Sequence, residues 1–246
     1  MKKTISFVVL ILMTVSLTAQ VPSGDDILRR LDANSVSESR ISVGKMIIHG
    51  RRSSRTVEAK SWVRGTEQSF TEYLAPARER GTKMLKLADQ LWTYSPSTDR
   101  TILIAGHMLR QSVMGSDLSY EDFMEEPLLH KLYSAEVVGE DTVLDRSCWV
   151  LDLKAVKDDV SYASRKIWVD KGRDIALKEE RFAKGGKLLK TTEVKSVKKI
   201  QNRWVAELVL FKDALKQGKG TEFYLDSIDF ETAIPEIIFS KASLRK

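Results

Sequence analysis

Apolar and polar residues alternate through most of the chain in short segments of about five to ten residues, each bounded by Gly, Asp, Ser or Pro. In the first half these segments are 41–48, 55–64, 67–74, 82–88, 90–95 and 100–104. Period-two alternation between turn residues is typical of antiparallel strands. The first half therefore predicts an antiparallel meander.

A second set of alternating segments runs from Ser134 to Lys212, and a last strand is predicted at Thr221–Asp226. Turns are predicted at 139–141, 170–172 and 184–186, where glycine accompanies charged residues. No linker separates the two sets. The sequence thus predicts a mainly β (α+β) fold with one large, strongly curved antiparallel sheet or barrel in a single domain.

One amphipathic helix is predicted before the first strand. Ile27, Leu28 and Leu31 recur at helical spacing within Asp25–Asn34, and Ser23 stands where an N-cap is expected.

The segment Gly106–Tyr133 interrupts the strand pattern between the two sets and is rich in apolar residues. Three of its residues are methionine, whose unbranched side chain adapts to irregular apolar surfaces. One interpretation is an ordinary connection packed on the core, and the other is a lid over an apolar cavity that opens to admit a ligand.

Aromatic residues in the predicted strands suit either a core or the wall of a cavity for an amphiphile. The predicted ligand-binding residues of cavity and lid are Trp62, Tyr73, Leu85, Leu87, Trp92, Tyr94, Met108, Leu109, Val113, Met114, Leu118, Tyr120, Phe123, Met124 and Trp149.

The chain begins with a pattern typical of a secretory signal peptide at residues 1–19. Lys2 and Lys3 precede an apolar run from Ile5 to Leu17, and Ala19 is the expected cleavage position. An uncleaved anchor is the alternative. The single cysteine, Cys148, lies far from this position, so we expect no lipid anchor there and no internal disulfide. We therefore expect an exported, soluble, monomeric protein.

The formal net charge is +6. For an exported protein this charge favours acidic partners, or anionic lipid headgroups reached by peripheral membrane contact, over nucleic acid. His49, His107 and His130 are isolated, and no HExxH or GxSxG motif occurs. We interpret the carboxylates of 121–126 as solvated charge. No metal, cofactor or catalytic residue is predicted.

Four stretches carry a resemblance to a known family: Gly81–Leu87, Leu91–Pro96, Arg100 and Met114–Phe123. Over roughly 25–230 the chain resembles the LolA-like outer-membrane lipoprotein-sorting family, and within it the branch found beside lipid-exporting transporters of the resistance-nodulation-division (RND/MMPL) type.

This resemblance implies an unclosed β-barrel with a helical lid over its concave face and a hydrophobic cavity for acyl chains. It implies a periplasmic carrier that receives a lipid or lipoprotein from an inner-membrane transporter and passes it to an outer-membrane acceptor without covalent chemistry. A basic residue of the early strands couples lid to sheet in such carriers. The sequence does not distinguish Arg40, Arg51, Arg52 and Arg55 for this role.

Two alternatives remain beside the carrier: a periplasmic sensor or accessory subunit of a membrane transporter or anti-sigma system, and a lipid hydrolase. For the lid we predict a latch formed by Arg110 and Asp117, from their place in the motif segment.

Overall fold

The computed structural model describes residues 21–245, so the predicted signal peptide lies outside the described residues. One antiparallel sheet of 13 strands dominates this part of the chain. The strands are β1 (Ser39–His49), β2 (Ser54–Arg64), β3 (Gln68–Ala75), β4 (Lys83–Leu87), β5 (Gln90–Ser95), β6 (Arg100–Ile104), β7 (Tyr133–Val143), β8 (Arg146–Ala155), β9 (Ser164–Asp170), β10 (Ala176–Phe182), β11 (Leu188–Ile200), β12 (Arg203–Asp213) and β13 (Gly220–Phe230).

The sheet is open, with β6 at one edge and β7 at the other. The first six strands run outward from β1 to one edge, and the last seven return from the other edge until β13 pairs with β1. Strands β6 and β7 are consecutive along the chain but lie at opposite edges, and the segment between them crosses one face of the sheet, where its apolar side chains pack on the first strands. The predicted unclosed sheet is confirmed, and the predicted lid segment lies across it.

Helix α1 (Gly24–Ser35) confirms the predicted amphipathic helix. Its N-cap is Ser23, whose hydroxyl accepts a hydrogen bond from the Asp26 backbone N–H at 3.1 Å. The buried side chains of Ile27, Leu28 and Leu31 pack against Tyr133, Leu151, Leu153, Ile167 and Val169 of β7 to β9. The helix thereby covers β7 to β9.

The crossing segment contains one short helix, α2 (Tyr120–Met124), and three single turns of 3-10 helix, Gly106–Arg110, Val113–Gly115 and Leu129–Lys131. We call residues 106–132 the lid, and the sheet face that it covers the inner face. The chain end, with 3-10 helices Glu236–Phe239 and Lys241–Arg245, packs on the opposite, outer face of β3 to β5.

One predicted turn is wrong. Strand β7 continues through residues 139–141, and the chain reverses at Leu144 and Asp145, which both have positive φ (52° and 55°). Such a two-residue loop suits the twist of a hairpin but usually carries Asn or Gly. Gly139 instead marks a register shift between Val137 and Gly139 in the pairing with β8. The other two predicted turns are confirmed.

No helix within residues 21–245 has the length and apolar character needed to cross a membrane.

The docking of α1 gives a stability prediction. We expect Leu28→Ala to lower the free energy of unfolding by about 2–5 kcal/mol, because Leu28 is fully buried between helix and sheet. Urea unfolding followed by circular dichroism measures this. The matched control is Leu215→Ala at a residue that is 61 % exposed. Equal losses in both variants would show that α1 does not contribute to the core.

Candidate functional site

The apolar side chains of the lid pack on the inner face of the first strands. Val113 is fully buried, and Met46, Ile48, Val57 and Tyr73 form the sheet side of the contact. The other lid residues packed there are Met108, Leu109, Met114, Leu118, Tyr120 and Met124. The lid therefore buries its own apolar surface against the sheet.

An apolar cavity of about 240 Å³ remains between lid and sheet. Leu118 and Phe123 line it from the lid, and the sheet contributes Gly44, Met46, Val57, Ala59, Ser61, Thr71, Tyr73, Phe211 and Phe223. The Tyr73 hydroxyl is buried and donates to the Met84 sulfur at 3.3 Å. Burial raises the pKa of Tyr73, so this hydroxyl stays neutral. The wall of this apolar compartment is thus without charge.

A second, polar compartment of about 470 Å³ adjoins the first and shares Ser61, Thr71, Phe123 and Phe223 with it. Its charged lining residues are Arg40, Lys86, Asp122, Glu125, Glu126, Arg165, Glu179 and Arg181. They come from β1, β4, β9, β10 and the lid. Because β4 and β9 are separated by many strands in the sheet, their meeting at one compartment requires the sheet to curl.

Ion pairs fasten the lid to the second half of the sheet. Asp122 of α2 accepts hydrogen bonds from Lys190, from Arg181 at 3.2 Å and from the Tyr162 hydroxyl at 2.6 Å. Glu125, which ends α2, pairs with Arg165. Both lid carboxylates thus bind cations that project from β9 to β11.

Glu179 completes this network beneath the lid. It accepts a hydrogen bond from Arg165 at 2.6 Å and another from Arg181 at 2.8 Å. Burial alone would raise the pKa of Glu179, but the two arginines outweigh it and lower the pKa to about 2. For Asp122, burial is likewise outweighed, mainly by Lys190, and the pKa falls to about 2. Both carboxylates are therefore ionised at neutral pH.

The interpretation of residues 121–126 as solvated charge is wrong for Asp122, whose side chain is only 5 % exposed. Strand β10 carries four consecutive charged residues, 178–181, so the sequence contains no signal that singles out Glu179 and Arg181 for the network. The contact of Asp122 with Lys190 could not be read from the sequence either, because these residues are far apart along the chain.

The structure separates the predicted cavity residues into groups. Tyr73, Leu118 and Phe123 line the apolar compartment. The other predicted lid residues pack around it, as described above. Five predictions fall on the outer face, packed with Ile234, Phe239 and Leu244 of the chain end: Trp62, Leu85, Leu87, Trp92 and Tyr94.

The register explains the placement of these five residues. Trp62 pairs with Phe70, Phe70 with Leu85 and Leu85 with Trp92, so all lie on one face, whereas the cavity residues Ser61 and Thr71 lie on the other. Trp149 lies in the cluster beneath α1, with the Lys171 ammonium 3.7 Å from its ring centre, and does not line either compartment.

The two predicted latch residues are not joined to each other. Asp117 accepts hydrogen bonds from the Thr221 hydroxyl at 2.7 Å and from the Asp213 backbone N–H at 3.0 Å, and so ties the lid to β12 and β13. Arg110 is exposed, and no ion pair within residues 21–245 links it to Asp117. Of the four early arginines, Arg40 lines the polar compartment, and Arg55 lies 3.8 Å from Glu79.

Within residues 21–245, no group of His, Cys, Asp and Glu side chains is arranged to hold a metal ion.

Comparison with known proteins places the fold. A protein-family model with the description "Uncharacterized protein" matches residues 65–246. No curated protein matches the chain in sequence. Three solved structures are similar over nearly the whole chain.

The first is a proposed outer membrane lipoprotein-sorting protein domain from Vibrio parahaemolyticus, with 23 % identity, TM-score 0.79 and coverage of 91 % of this chain and 98 % of that one. A DUF1329 family protein from Desulfovibrio piger has 23 % identity, TM-score 0.81 and coverage of 90 % and 97 %. A LolA superfamily protein from Nitrosomonas europaea has 21 % identity, TM-score 0.74 and coverage of 91 % and 100 %. The resemblance seen in the sequence is confirmed at the level of the fold.

The ion network predicts a large effect of Asp122→Asn. Removing this carboxylate leaves Lys190 and Arg181 without their lid partner, and breaking a buried pair costs about 3–5 kcal/mol. We expect such a loss in urea unfolding, and faster amide hydrogen exchange in residues 119–125. The control is Asp152→Asn, an exposed carboxylate 3.6 Å from Lys166, for which a change below about 1 kcal/mol is expected. Unchanged exchange in Asp122→Asn would contradict a fastening role.

The low pKa values of Asp122 and Glu179 predict a pH dependence. A carboxylate whose pKa is lowered by folding stabilises the protein above its ordinary pKa, and this stabilisation is lost as the pH falls towards the folded value. The difference in melting temperature between wild type and Asp122→Asn should therefore be constant near neutral pH, begin to shrink below about pH 4 and be lost as the pH falls through about 2. A difference as large at pH 2 as at pH 7 would refute this assignment.

Proposed function

The chain belongs to the family whose model matches residues 65–246 and has the fold of the LolA-like lipoprotein-sorting proteins, and we propose that it is a periplasmic, non-enzymatic carrier of acyl chains. The cargo would be a lipid or the acylated end of a lipoprotein. The observation that carries this proposal is the uncharged apolar compartment enclosed between the lid and the inner face.

The compartment suits an acyl chain because its wall offers apolar side chains and no charge. Burial of a chain is worth about 0.8 kcal/mol per methylene, so even a partly buried chain gains several kcal/mol. Met46 and Phe223 on the sheet and Phe123 on the lid would supply the contacts. Phe123 is 40 % exposed, which places an apolar side chain at the boundary between cavity and solvent.

Release requires that the empty state also be stable. Without cargo, the lid methionines and Val113 bury their apolar surface on the sheet, and the Asp122 and Glu125 ion pairs hold the lid in place. Opening the lid exposes this surface to water, a cost that is recovered when cargo leaves and the lid closes. Binding would therefore be reversible without covalent chemistry.

The charged groups of the interior support binding over catalysis. General acid–base groups are most effective when their pKa lies near the working pH. Here Asp122 and Glu179 have pKa values of about 2, and burial together with Asp122 raises the pKa of the Tyr162 hydroxyl. These groups keep one protonation state at neutral pH, which suits a fixed framework.

The periplasmic location in this proposal follows from the export signal read in residues 1–19, and the route follows from the family resemblance. The carrier would receive its cargo from a donor in the inner membrane, such as a transporter, and pass it to an acceptor in the outer membrane. Native mass spectrometry and lipid extraction of the protein purified from its own host test the cargo. Co-purifying lipid or lipopeptide is expected. A stable protein complex without lipid would favour the accessory-subunit alternative.

A cavity-filling substitution tests the site directly. We expect Ala59→Phe to occupy the apolar compartment and to weaken binding of a fluorescent fatty acid at least about tenfold, since each 1.4 kcal/mol of lost contact is one factor of ten. The control is Ala77→Phe at an exposed position between β3 and β4, where binding should be unchanged. Full binding by a folded Ala59→Phe protein would place the acyl site elsewhere.

A further inference from the structure

We propose that the polar compartment binds the anionic headgroup of a lipid whose acyl chain occupies the adjoining apolar compartment. This inference rests on the proposed carrier function and specifies its cargo as an anionic amphiphile. The supporting observation is the charge distribution of the polar compartment. Its carboxylates have cationic partners within the protein, whereas two of its cations have no carboxylate partner within residues 21–245.

The carboxylates of the compartment already have cationic partners. Asp122 is held by Lys190 and Arg181, and Glu179 by Arg165 and Arg181. Glu125 pairs with Arg165, and Glu126 lies 3.6 Å from Lys131. These groups neutralise one another, and the cations in these pairs include Lys190 and Lys131, which do not line the compartment.

Two further cations line the compartment without a carboxylate partner. Arg40 takes part in none of the ion pairs or side-chain hydrogen bonds described for residues 21–245, and its pKa is lowered by burial and by Arg203. Lys86 is buried, and its ammonium makes only long contacts of 3.4 Å with the carbonyl oxygens of Thr66 and Met124. Burial also lowers its pKa, although Glu126 and Glu67 partly oppose this.

Lys86 is buried and Arg40 is partly buried. A cation withdrawn from water without a counter-charge is costly, and a bound anion would reduce that cost. Hydrogen-bond donors are also available. Hydroxyl side chains line the same wall, namely Ser42, Ser69 and the hydrogen-bonded pair Ser61 and Thr71. A phosphate or carboxylate has the acceptor oxygens that such a set of donors satisfies.

The two adjoining compartments indicate the shape of ligand that would fit them. Ser61, Thr71, Phe123 and Phe223 border both, so one molecule can reach from the charged end into the apolar end. The apolar compartment, at about 240 Å³, is smaller than the roughly 300–1,000 Å³ of typical ligand sites, which favours a single acyl chain with the lid closed.

The test compares lipids that differ only in the headgroup, using delipidated full-length mature protein. Lysophosphatidylglycerol with a palmitoyl chain is the anionic probe, and monopalmitoylglycerol is the neutral one. We expect the anionic lipid to bind at least about tenfold more tightly, because the neutral lipid cannot form charge-assisted hydrogen bonds with the polar compartment. Equal affinities would overturn this inference and leave the carrier proposal standing, whereas no binding of either lipid would overturn both.

Two variants assign the headgroup site to residues. Arg40→Met and, separately, Lys86→Met should reduce the preference for the anionic lipid about tenfold while the neutral lipid still binds. The matched controls are Arg78→Met and Lys154→Met at exposed positions, which should keep the preference. A preference unchanged in both inner variants would overturn the assignment. Glycerol phosphate binding as tightly as the lysolipid would show a site for free phosphates and overturn the lipid assignment.

Discussion

The open sheet imposes one constraint on everything else in this structure: the chain leaves it at β6 and has to re-enter it at β7, at the opposite edge. Residues 106–132 make this connection across the inner face. They are stable there because they bury apolar side chains towards the sheet, as Val113 and the lid methionines do. The covered interior therefore follows from the strand order together with the apolar residues of the connection.

The crossing segment is fastened differently at its two ends. Its first part packs through apolar contacts on β1 to β6 and is tied to β12 and β13 through Asp117, whereas α2 adds ion pairs to Arg165, Arg181 and Lys190 of β9 to β11. Apolar contacts tolerate sliding and repacking, but a buried ion pair either keeps its geometry or is lost at considerable cost. The ion pairs of α2 therefore restrict the position of the lid more than its apolar contacts do.

The same division appears in the interior, where an uncharged compartment adjoins one that holds Arg40 and Lys86, two cations without an ion-pair partner within residues 21–245. The helix α1 packs on β7 to β9 and the chain end on the outer face, so neither fills these two compartments. A ligand with one apolar and one anionic end would satisfy both, and neither end alone would use the whole interior. This arrangement is the basis on which we propose an amphiphilic cargo.

The sequence by itself determined the strands, the helix α1 and the interrupted segment, because period-two alternation, helical spacing and a break in both are local properties of the chain. It did not determine which face of a strand meets the lid. Trp62 and Trp92 looked equal to Tyr73 as cavity residues, yet pairing register and the packing of the chain end place them outside. The tertiary structure alone brought Asp122 to Lys190 and Glu179 to Arg165, because such pairs depend on how the sheet curls and where the lid crosses it.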